Sequence, residues 1–137
     1  MAAYNKFQDF IEQFGLKNHN LNTDTLKVFL TNEQPLVGDT VKGDMVEVTS
    51  ADYPAGGQDS QNTYTESGGT GSCVGIDITW TATSATLGPF KFAVLYNDTG
   101  ATKYLVGWWE YAGANLTLAI GESFKVDFGA TMFTIGP

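Results

Sequence analysis

The sequence predicts a mainly β protein, an antiparallel β-sandwich of jelly-roll or Greek-key type with one amphipathic α-helix at its N-terminus. The main observation is an alternation of apolar and polar residues in roughly seven or eight segments after residue 24, which is typical of strands that bury one face. Turn-forming residues, above all glycine, separate these segments at short intervals. Before residue 16 the apolar residues recur at helical spacing instead. A length of 137 residues is typical of one domain, which we place at 1–137.

The helix is predicted over residues 4–15. Five apolar residues share one stripe of this helix: Tyr4, Phe7, Phe10, Ile11 and Phe14. Polar residues occupy the opposite side, and Gly15 stands where a helix usually ends. An aromatic stripe of this kind requires a cover, which is either the sheet of the same chain or a neighbouring subunit.

The first half of the chain is predicted to alternate short strands with loops. Leucine and valine at every second position predict a strand over residues 24–30. Residues 36–50 are compatible with either a short helix or an edge strand. A polar strand is predicted over residues 62–66, between glycine-containing loops at residues 52–59 and 67–72.

The second half is more regular. Its strands are predicted over residues 73–80, 90–96, 103–111, 116–120, 123–128 and 131–135. The segment 90–96 is apolar on both faces, which favours a central position in a sheet. A turn at residues 87–89 precedes it, and the Asn-Asp-Thr-Gly sequence at residues 97–100 has the chemistry of a hairpin turn.

Composition excludes several classes of partner and site. The net charge is −8, and the seven cationic residues are all lysines, so there is no basic patch for direct nucleic-acid binding. No apolar stretch approaches the roughly 18–20 residues that a membrane span needs, so we expect no membrane contact. One cysteine and one histidine exclude both a disulfide framework and a zinc site built from these residues.

No catalytic constellation stands out. His19 is the only candidate for a histidine base, and in the polar segment 17–20 we expect a solvated or backbone-bonded imidazole. Acidic residues near predicted strands do not form a recognisable pair; these are Asp77, Asp98, Glu110 and Asp127. The glycine-rich segment 68–72 lacks the lysine and the following helix of a phosphate loop. We therefore expect a protein that is not an enzyme, with no cofactor and no metal site.

The most distinctive segment is Gly-Trp-Trp-Glu-Tyr at residues 107–111. Consecutive strand residues point to opposite faces, so Trp108 and Trp109 cannot enter the same core. We predict that Trp108 lies in the core with Val106, and that Trp109 and Tyr111 contact the helix or a neighbouring chain. An exposed aromatic platform for sugar rings is the alternative. The candidate interface residues are therefore Phe7, Phe10, Phe14, Trp109 and Tyr111.

Several segments together resemble a family of small tailed-bacteriophage virion structural proteins, in order along nearly the whole chain. They are DTLKVFLTN at residues 24–32, YPAGG at 53–57, GPFKFAVLYND at 88–98, LVGWWEY at 105–111 and GESFKVDF at 121–128. The resemblance implies a capsid decoration, or cement, protein rather than an enzyme.

The resemblance also implies partners and a location. A cement protein would act on the capsid exterior of the virion, as a homo-oligomer (a dimer or a trimer) that bridges subunits of the major capsid protein. Lys6, Asp9 and Glu12 interrupt what would be the apolar part of a secretory signal, so we expect synthesis in the cytoplasm of the bacterial host. The alternative function is a tail, fibre or head-surface module that binds host glycans.

Overall fold

The computed structural model of the protein describes residues 2–111 and 114–136. Within these ranges the chain is mainly β, with antiparallel sheets and one short N-terminal helix, which confirms the predicted fold class. The elements in chain order are β1 (Tyr4–Lys6), α1 (Asp9–Gly15), β2 (Leu26–Thr31), a 3₁₀ turn (Lys42–Asp44), β3 (Gln58–Asp59), β4 (Thr63–Ser67), β5 (Thr70–Val74), β6 (Ile78–Thr81), β7 (Leu87–Phe90), β8 (Phe92–Asn97), β9 (Leu105–Glu110), β10 (Leu116–Leu118), β11 (Ser123–Val126) and β12 (Phe133–Ile135). In this part of the chain no helix is long and apolar enough to cross a membrane.

A five-stranded antiparallel sheet with the order β1-β9-β8-β2-β3 forms the centre of the fold. Strand β8 pairs with β2 and β9, and all six of its residues are buried. This confirms the central strand predicted from the apolar segment 90–96, because a strand that is apolar on both faces needs a cover on each side.

One face of this sheet packs against three smaller antiparallel sheets, with the orders β10-β7, β11-β6 and β12-β5-β4. The layers enclose the main core, which includes Val28, Leu30, Trp80, Phe90, Leu95, Val106, Trp109, Phe128 and Phe133. The arrangement is a β-sandwich, since the apolar faces of two sheet layers meet in one core.

The opposite face of the five-stranded sheet carries a second, smaller core. It consists of Phe7, Phe29, Met45, Phe92, Val94, Tyr96, Leu105 and Trp108. Phe7, which precedes α1, and Met45, which follows the 3₁₀ turn, are its members from outside the sheet. Apart from this turn and an isolated bridge at Val41, residues 36–50 form neither the helix nor the edge strand considered above.

A β-bulge corrects the predicted faces of β9. The register between β8 and β9 shifts between Leu95 and Tyr96, which leaves Val106 as an extra residue without a partner on β8. The bulge reverses the alternation, so Val106 lies in the main core with Trp109 and not with Trp108. The prediction that Trp108 and Val106 share a core is therefore wrong.

The N-terminal segment also departs from the prediction of one helix over residues 4–15. Residues 4–6 instead form β1, which pairs with β9, and the helix begins at Asp9. An unpaired edge of β9 would leave backbone groups without partners, and β1 satisfies them. The aromatic stripe is divided as a result, because Phe7 enters the second core whereas Phe10 enters the main core.

Three predicted segments differ in the structure. The loop predicted at residues 67–72 is a tight hairpin, because Gly68 and Gly69 both have positive φ and β5 begins at residue 70. The strand predicted over residues 73–80 is therefore two strands, β5 and β6. The turn predicted at residues 87–89 lies inside β7, which pairs with β10.

Candidate functional site

The predicted interface residues differ in how far they are buried. Phe7, Phe10 and Trp109 are at most 1% exposed and pack inside the chain, whereas Phe14 and Tyr111 are half-buried. Most of these aromatic side chains are thus covered by other residues of the same chain. This agrees with the first of the two alternatives given for the aromatic stripe, in which the sheet of the same chain covers it.

The aromatic contacts of α1 join it to the loop that follows it and to strand β12. The ring centroid of Phe10 lies 5.7 Å from that of Phe14, 5.2 Å from that of His19 and 5.6 Å from that of Phe133. Phe10 therefore connects the helix to the following loop and to the last strand, and it is a core residue rather than a free contact point.

No tryptophan is placed to stack on a sugar ring. The protein has three tryptophans, and Trp80, Trp108 and Trp109 are all buried. The ring of Trp109 lies 5.5 Å from the ring of Tyr4 and 5.3 Å from that of Phe128. The exposed aromatic platform considered for β9 is therefore absent, because both faces of this strand are covered.

A cleft lies between the N-terminal segment and strand β12, and we call it the terminal cleft. It has a volume of about 300 Å³ and is lined mainly by Tyr4, Lys6, Phe10, Ile11, Phe133 and Ile135. Apolar and aromatic side chains predominate, which is typical of a surface that meets another apolar group.

Four exposed apolar side chains lie on α1, at its C-terminal cap and in the segment that is hydrogen-bonded to the residue just before α1. Ile11 of α1 is 50% exposed and Leu16, which caps the helix, is 62% exposed. Leu36 and Val37 are 63% and 51% exposed, and the carbonyl of Val37 accepts a 2.9 Å hydrogen bond from the backbone N–H of Gln8 just before α1. We call Ile11, Leu16, Leu36 and Val37 the N-terminal apolar patch. These four are among the seven large apolar side chains that are exposed in the described residues; the others are Val46, Ile76 and Ile120.

A second concavity, the loop pocket, is polar. It has a volume of about 350 Å³ and lies between the loop that follows α1 and the connection from β8 to β9. Its lining includes Lys17, Asn20, Asp24, Thr99, Thr102 and the half-buried Tyr104. The sequence did not predict this pocket, because its two loops are about 80 residues apart along the chain and no local motif connects them.

His19 lies beneath this pocket and is only 5% exposed, so the prediction of a solvated or backbone-bonded imidazole is wrong. Its Nδ1 is 3.0 Å from the side-chain Nδ2 of Asn97. Burial lowers the pKa of His19, an effect that the carboxylates of Asp24 and Asp9 oppose. A neutral, enclosed imidazole of this kind is a structural group and is not accessible to a substrate.

The carboxylates of the chain mainly serve its loops. Eleven of the fifteen accept a hydrogen bond from a backbone N–H: Asp24, Glu33, Asp39, Asp44, Glu47, Asp52, Asp59, Glu66, Asp77, Glu122 and Asp127. Carboxylates occupied in this way hold turns and loops together. In the described ranges no group of three or more histidine, cysteine or acidic residues could hold a metal ion.

Asp52 is the most heavily bonded of these residues. Its carboxylate accepts hydrogen bonds from the backbone N–H groups of Thr83, Ser84 and Ala85, at 2.9, 2.7 and 2.8 Å. It also accepts hydrogen bonds from the side-chain hydroxyls of Thr83 and Ser84, at 2.9 and 3.1 Å. These bonds hold the pKa of Asp52 well below its ordinary value. Asp52 therefore fixes the loop before β7 to the loop before β3, a long-range role that its local sequence does not reveal.

No family model, no curated protein and no solved structure matches the chain. The resemblance to phage virion proteins therefore depends on the sequence segments alone. In the fold, two of these segments contribute β8 and β9, neighbouring strands of the central sheet.

Proposed function

We propose that the protein is a non-enzymatic capsid decoration protein, which binds the outer face of an assembled phage head and bridges subunits of the major capsid protein. The resemblance of five sequence segments supports the phage context and the partner. The observation that carries the binding role is the N-terminal apolar patch. Its four large apolar side chains are exposed on two segments that the Gln8–Val37 hydrogen bond joins, and exposed apolar surface commonly marks a protein interaction site.

The hydrogen-bonded loops support a binding role of this kind. A loop that is already ordered loses little conformational freedom when it meets a partner, so more of the contact energy appears as affinity. Asp39 precedes the 3₁₀ turn and Asp44 ends it. The carboxylate of Asp39 accepts a hydrogen bond from the backbone N–H of Leu36, and that of Asp44 accepts hydrogen bonds from the backbone N–H groups of Thr40 and Val41. The loop that presents Leu36 and Val37 is thus held in shape before any partner arrives.

A decoration protein stabilises a shell through many equivalent contacts. Because it binds the assembled shell and not the dispersed subunits, each bound copy shifts the equilibrium towards assembly. The contact of one copy can be modest, since the effects of many copies on one shell add together. A small protein with a limited apolar patch is sufficient for such a role.

The experiment mixes the purified full-length protein with phage heads that lack it. We expect saturable binding with many copies per head, and a higher temperature for release of the packaged DNA. The double variant Ile11→Glu/Val37→Glu should fold but lose binding, while Ile120→Glu, which changes a side chain that is 61% exposed outside the patch, should bind normally. Failure of the wild-type protein to bind heads would reject the function, and binding by the double variant would reject the patch. Sedimentation of the free protein tests the expected dimer or trimer.

A glycan-binding module of the tail, fibre or head surface is the second candidate function, and the loop pocket favours it. Carboxylate and amide groups such as those of Asp24 and Asn20 can pair with sugar hydroxyls, and Tyr104 offers a half-buried aromatic ring. Titration of isotope-labelled protein with a panel of monosaccharides, followed by amide chemical shifts, tests it. Saturable shifts confined to this pocket would favour glycan binding, and an unchanged spectrum would count against it.

A further inference from the structure

The two loops that form the loop pocket are joined underneath by one buried side chain. Asn97, at the end of β8, is 1% exposed. Its Nδ2 lies 3.0 Å from Nδ1 of His19, 2.7 Å from Oδ2 of Asp24 and 3.4 Å from the carbonyl oxygen of Asn18. All three partners belong to the loop that follows α1. We call this set of contacts the Asn97 clamp.

The orientation of the Asn97 amide is fixed by its other contacts. Its Oδ1 accepts the backbone N–H of Thr99 at 2.9 Å, and its Nδ2 donates to the carboxylate of Asp24. Exchanging the amide oxygen and nitrogen would break both bonds, so the nitrogen must face His19. Because an amide nitrogen only donates, Nδ1 of His19 must accept, and the proton of the neutral ring is on Nε2.

A second proton on His19 is incompatible with this arrangement. An imidazolium donates from both nitrogens, so Nδ1–H would point at the NH₂ group of Asn97. Nε2 is buried and has no hydrogen-bond partner among the described residues. The aromatic neighbours Phe10 and Tyr104, with centroids at 5.2 and 6.1 Å, give no strong acceptor for that proton. The extra charge would therefore be buried and poorly hydrogen-bonded.

The charged groups around His19 only partly offset this cost. Asp24 of the same loop and Asp9 of α1 favour the imidazolium electrostatically, but burial outweighs them and lowers the pKa of the ring. Lys17, two positions earlier in the loop, is a cation and adds no favourable interaction.

We propose that protonation of His19 opens the Asn97 clamp, so that residues 17–20 separate from the β8–β9 connection while Leu21, which lies in the main core, and the central sheet stay in place. The direction follows from linkage. A histidine with a lowered pKa in the folded state binds protons more readily once it is released. The clamp is therefore fully effective above the ordinary histidine pKa of about 6.5 and weakens as the pH falls below it.

The location of the change follows from the distribution of titrating groups. The main core is apolar around β2 and β8, so it is insensitive to mild acid. Opening should instead be confined to the loop pocket, whose two sides the clamp connects. This inference does not depend on the proposed function, since it concerns the isolated chain.

Hydrogen exchange followed by mass spectrometry tests the proposal on the full-length protein at about pH 7.5 and about pH 5, on either side of the ordinary histidine pKa. After correction for the intrinsic pH dependence of exchange, peptides covering residues 17–24 and 97–104 should exchange faster at the lower pH, by up to about tenfold per pH unit. Peptides from β2 should show no such change. The variant His19→Gln offers Asn97 an acceptor that does not titrate, and it should lose the pH dependence while keeping Asp9 and Asp24.

Two results would overturn the proposal. One is an equal pH dependence of loop exchange in the wild type and in His19→Gln. The other comes from the wild type alone, so it does not require the variant to fold. The protein has one histidine, so its ring signals can be followed directly by NMR, and a pKa at or above about 6.5 would show that the folded state tolerates the imidazolium.

Discussion

Replacement of Gly107 by alanine gives the sharpest test of how the N-terminal strand is held. A Cβ atom at Gly107 would lie 2.2 Å from Cε2 and 2.4 Å from Cζ and Oη of Tyr4, whereas ordinary contacts are 3.4–4 Å. The Tyr4 ring would have to move by more than about 1 Å to restore a normal contact. It has little room, because it stacks on Phe133 at 5.1 Å and contacts Trp109 at 5.5 Å.

The expected cost is that of overpacking a well-filled site. We expect Gly107→Ala to destabilise the fold by about 1–3 kcal/mol, through displacement of the Tyr4 ring or detachment of β1. In a Tyr4→Ala background the space is empty, so the same substitution should cost less than about 0.5 kcal/mol. Glycine conformation does not contribute, because Gly107 is not among the residues with positive φ.

The assay is urea unfolding of the wild type, both single variants and the double variant, followed by tryptophan fluorescence and far-UV circular dichroism. A coupling energy of about 1–2.5 kcal/mol between the two positions is expected. Gly38→Ala is the control, because a Cβ there meets nothing within 4 Å, and it should leave stability nearly unchanged. An equal cost of Gly107→Ala with and without the Tyr4 ring would refute the steric argument.

Three further predictions concern burial and charge. Phe10→Ala should cost about 3–5 kcal/mol in urea unfolding, because this buried ring joins α1 to β12, whereas Ile11→Ala at the half-exposed neighbour should cost about 0.5 kcal/mol. Because the pKa of Asp52 is lowered in the folded state, its stabilising contribution is present above about pH 4 and is lost as the pH falls below that value. The variant Asp52→Ala should therefore show a smaller loss of the urea midpoint between about pH 5 and about pH 2.5 than the wild type, and an identical loss would contradict this role. Burial raises the pKa of Cys73 to about 12, so a thiol reagent should label it only on unfolding, and rapid labelling of the folded protein would show that the site opens locally.

The pattern of apolar residues predicted most strands, and the reason is visible in β8 and β2. Both strands lie in the central sheet, where burial on each face directly dictates apolar residues. The pattern failed where a single backbone irregularity changes the face. The bulge at Val106 places this residue and Trp109 on the same side. The neighbouring Gly107 is a weak signal for it, since a glycine inside a strand indicates either a bulge or the close approach of another segment.

The helical spacing of the N-terminal aromatics was misleading for a related reason. Tyr4 and Phe7 fit a helical stripe, but the edge of β9 requires a hydrogen-bonding partner and the N-terminal segment supplies one as β1. Phe7 then enters the second core and packs at 4.6 Å on Trp108, away from Phe10. Periodicity describes which residues are buried, but it does not show on which side of a sheet they are buried.

The candidate site was only partly predictable, because the sequence pattern indicates its buried aromatic residues but not its exposed apolar ones. The aromatic residues proposed as an interface were correctly seen to need a cover, and the chain provides that cover for Phe10 and Trp109. The residues that are exposed instead, such as Leu36 and Val37, lie in a segment without regular periodicity. Some of the loop carboxylates could have been found, since Asp127 bonds to the N–H two positions later in the pattern of an Asx turn.

The placement of charge also determines what kind of surface can meet this protein. Five of the seven lysines are paired with carboxylates: Lys27, Lys42, Lys91, Lys103 and Lys125. The net charge of −8 arises because carboxylates outnumber the lysines, and the same chain exposes apolar side chains such as Ile11 and Val37. A partner with an apolar centre framed by lysine or arginine complements both features, because the apolar contact supplies affinity while the opposite charges guide the approach. A phosphate-rich surface would be repelled by this net charge.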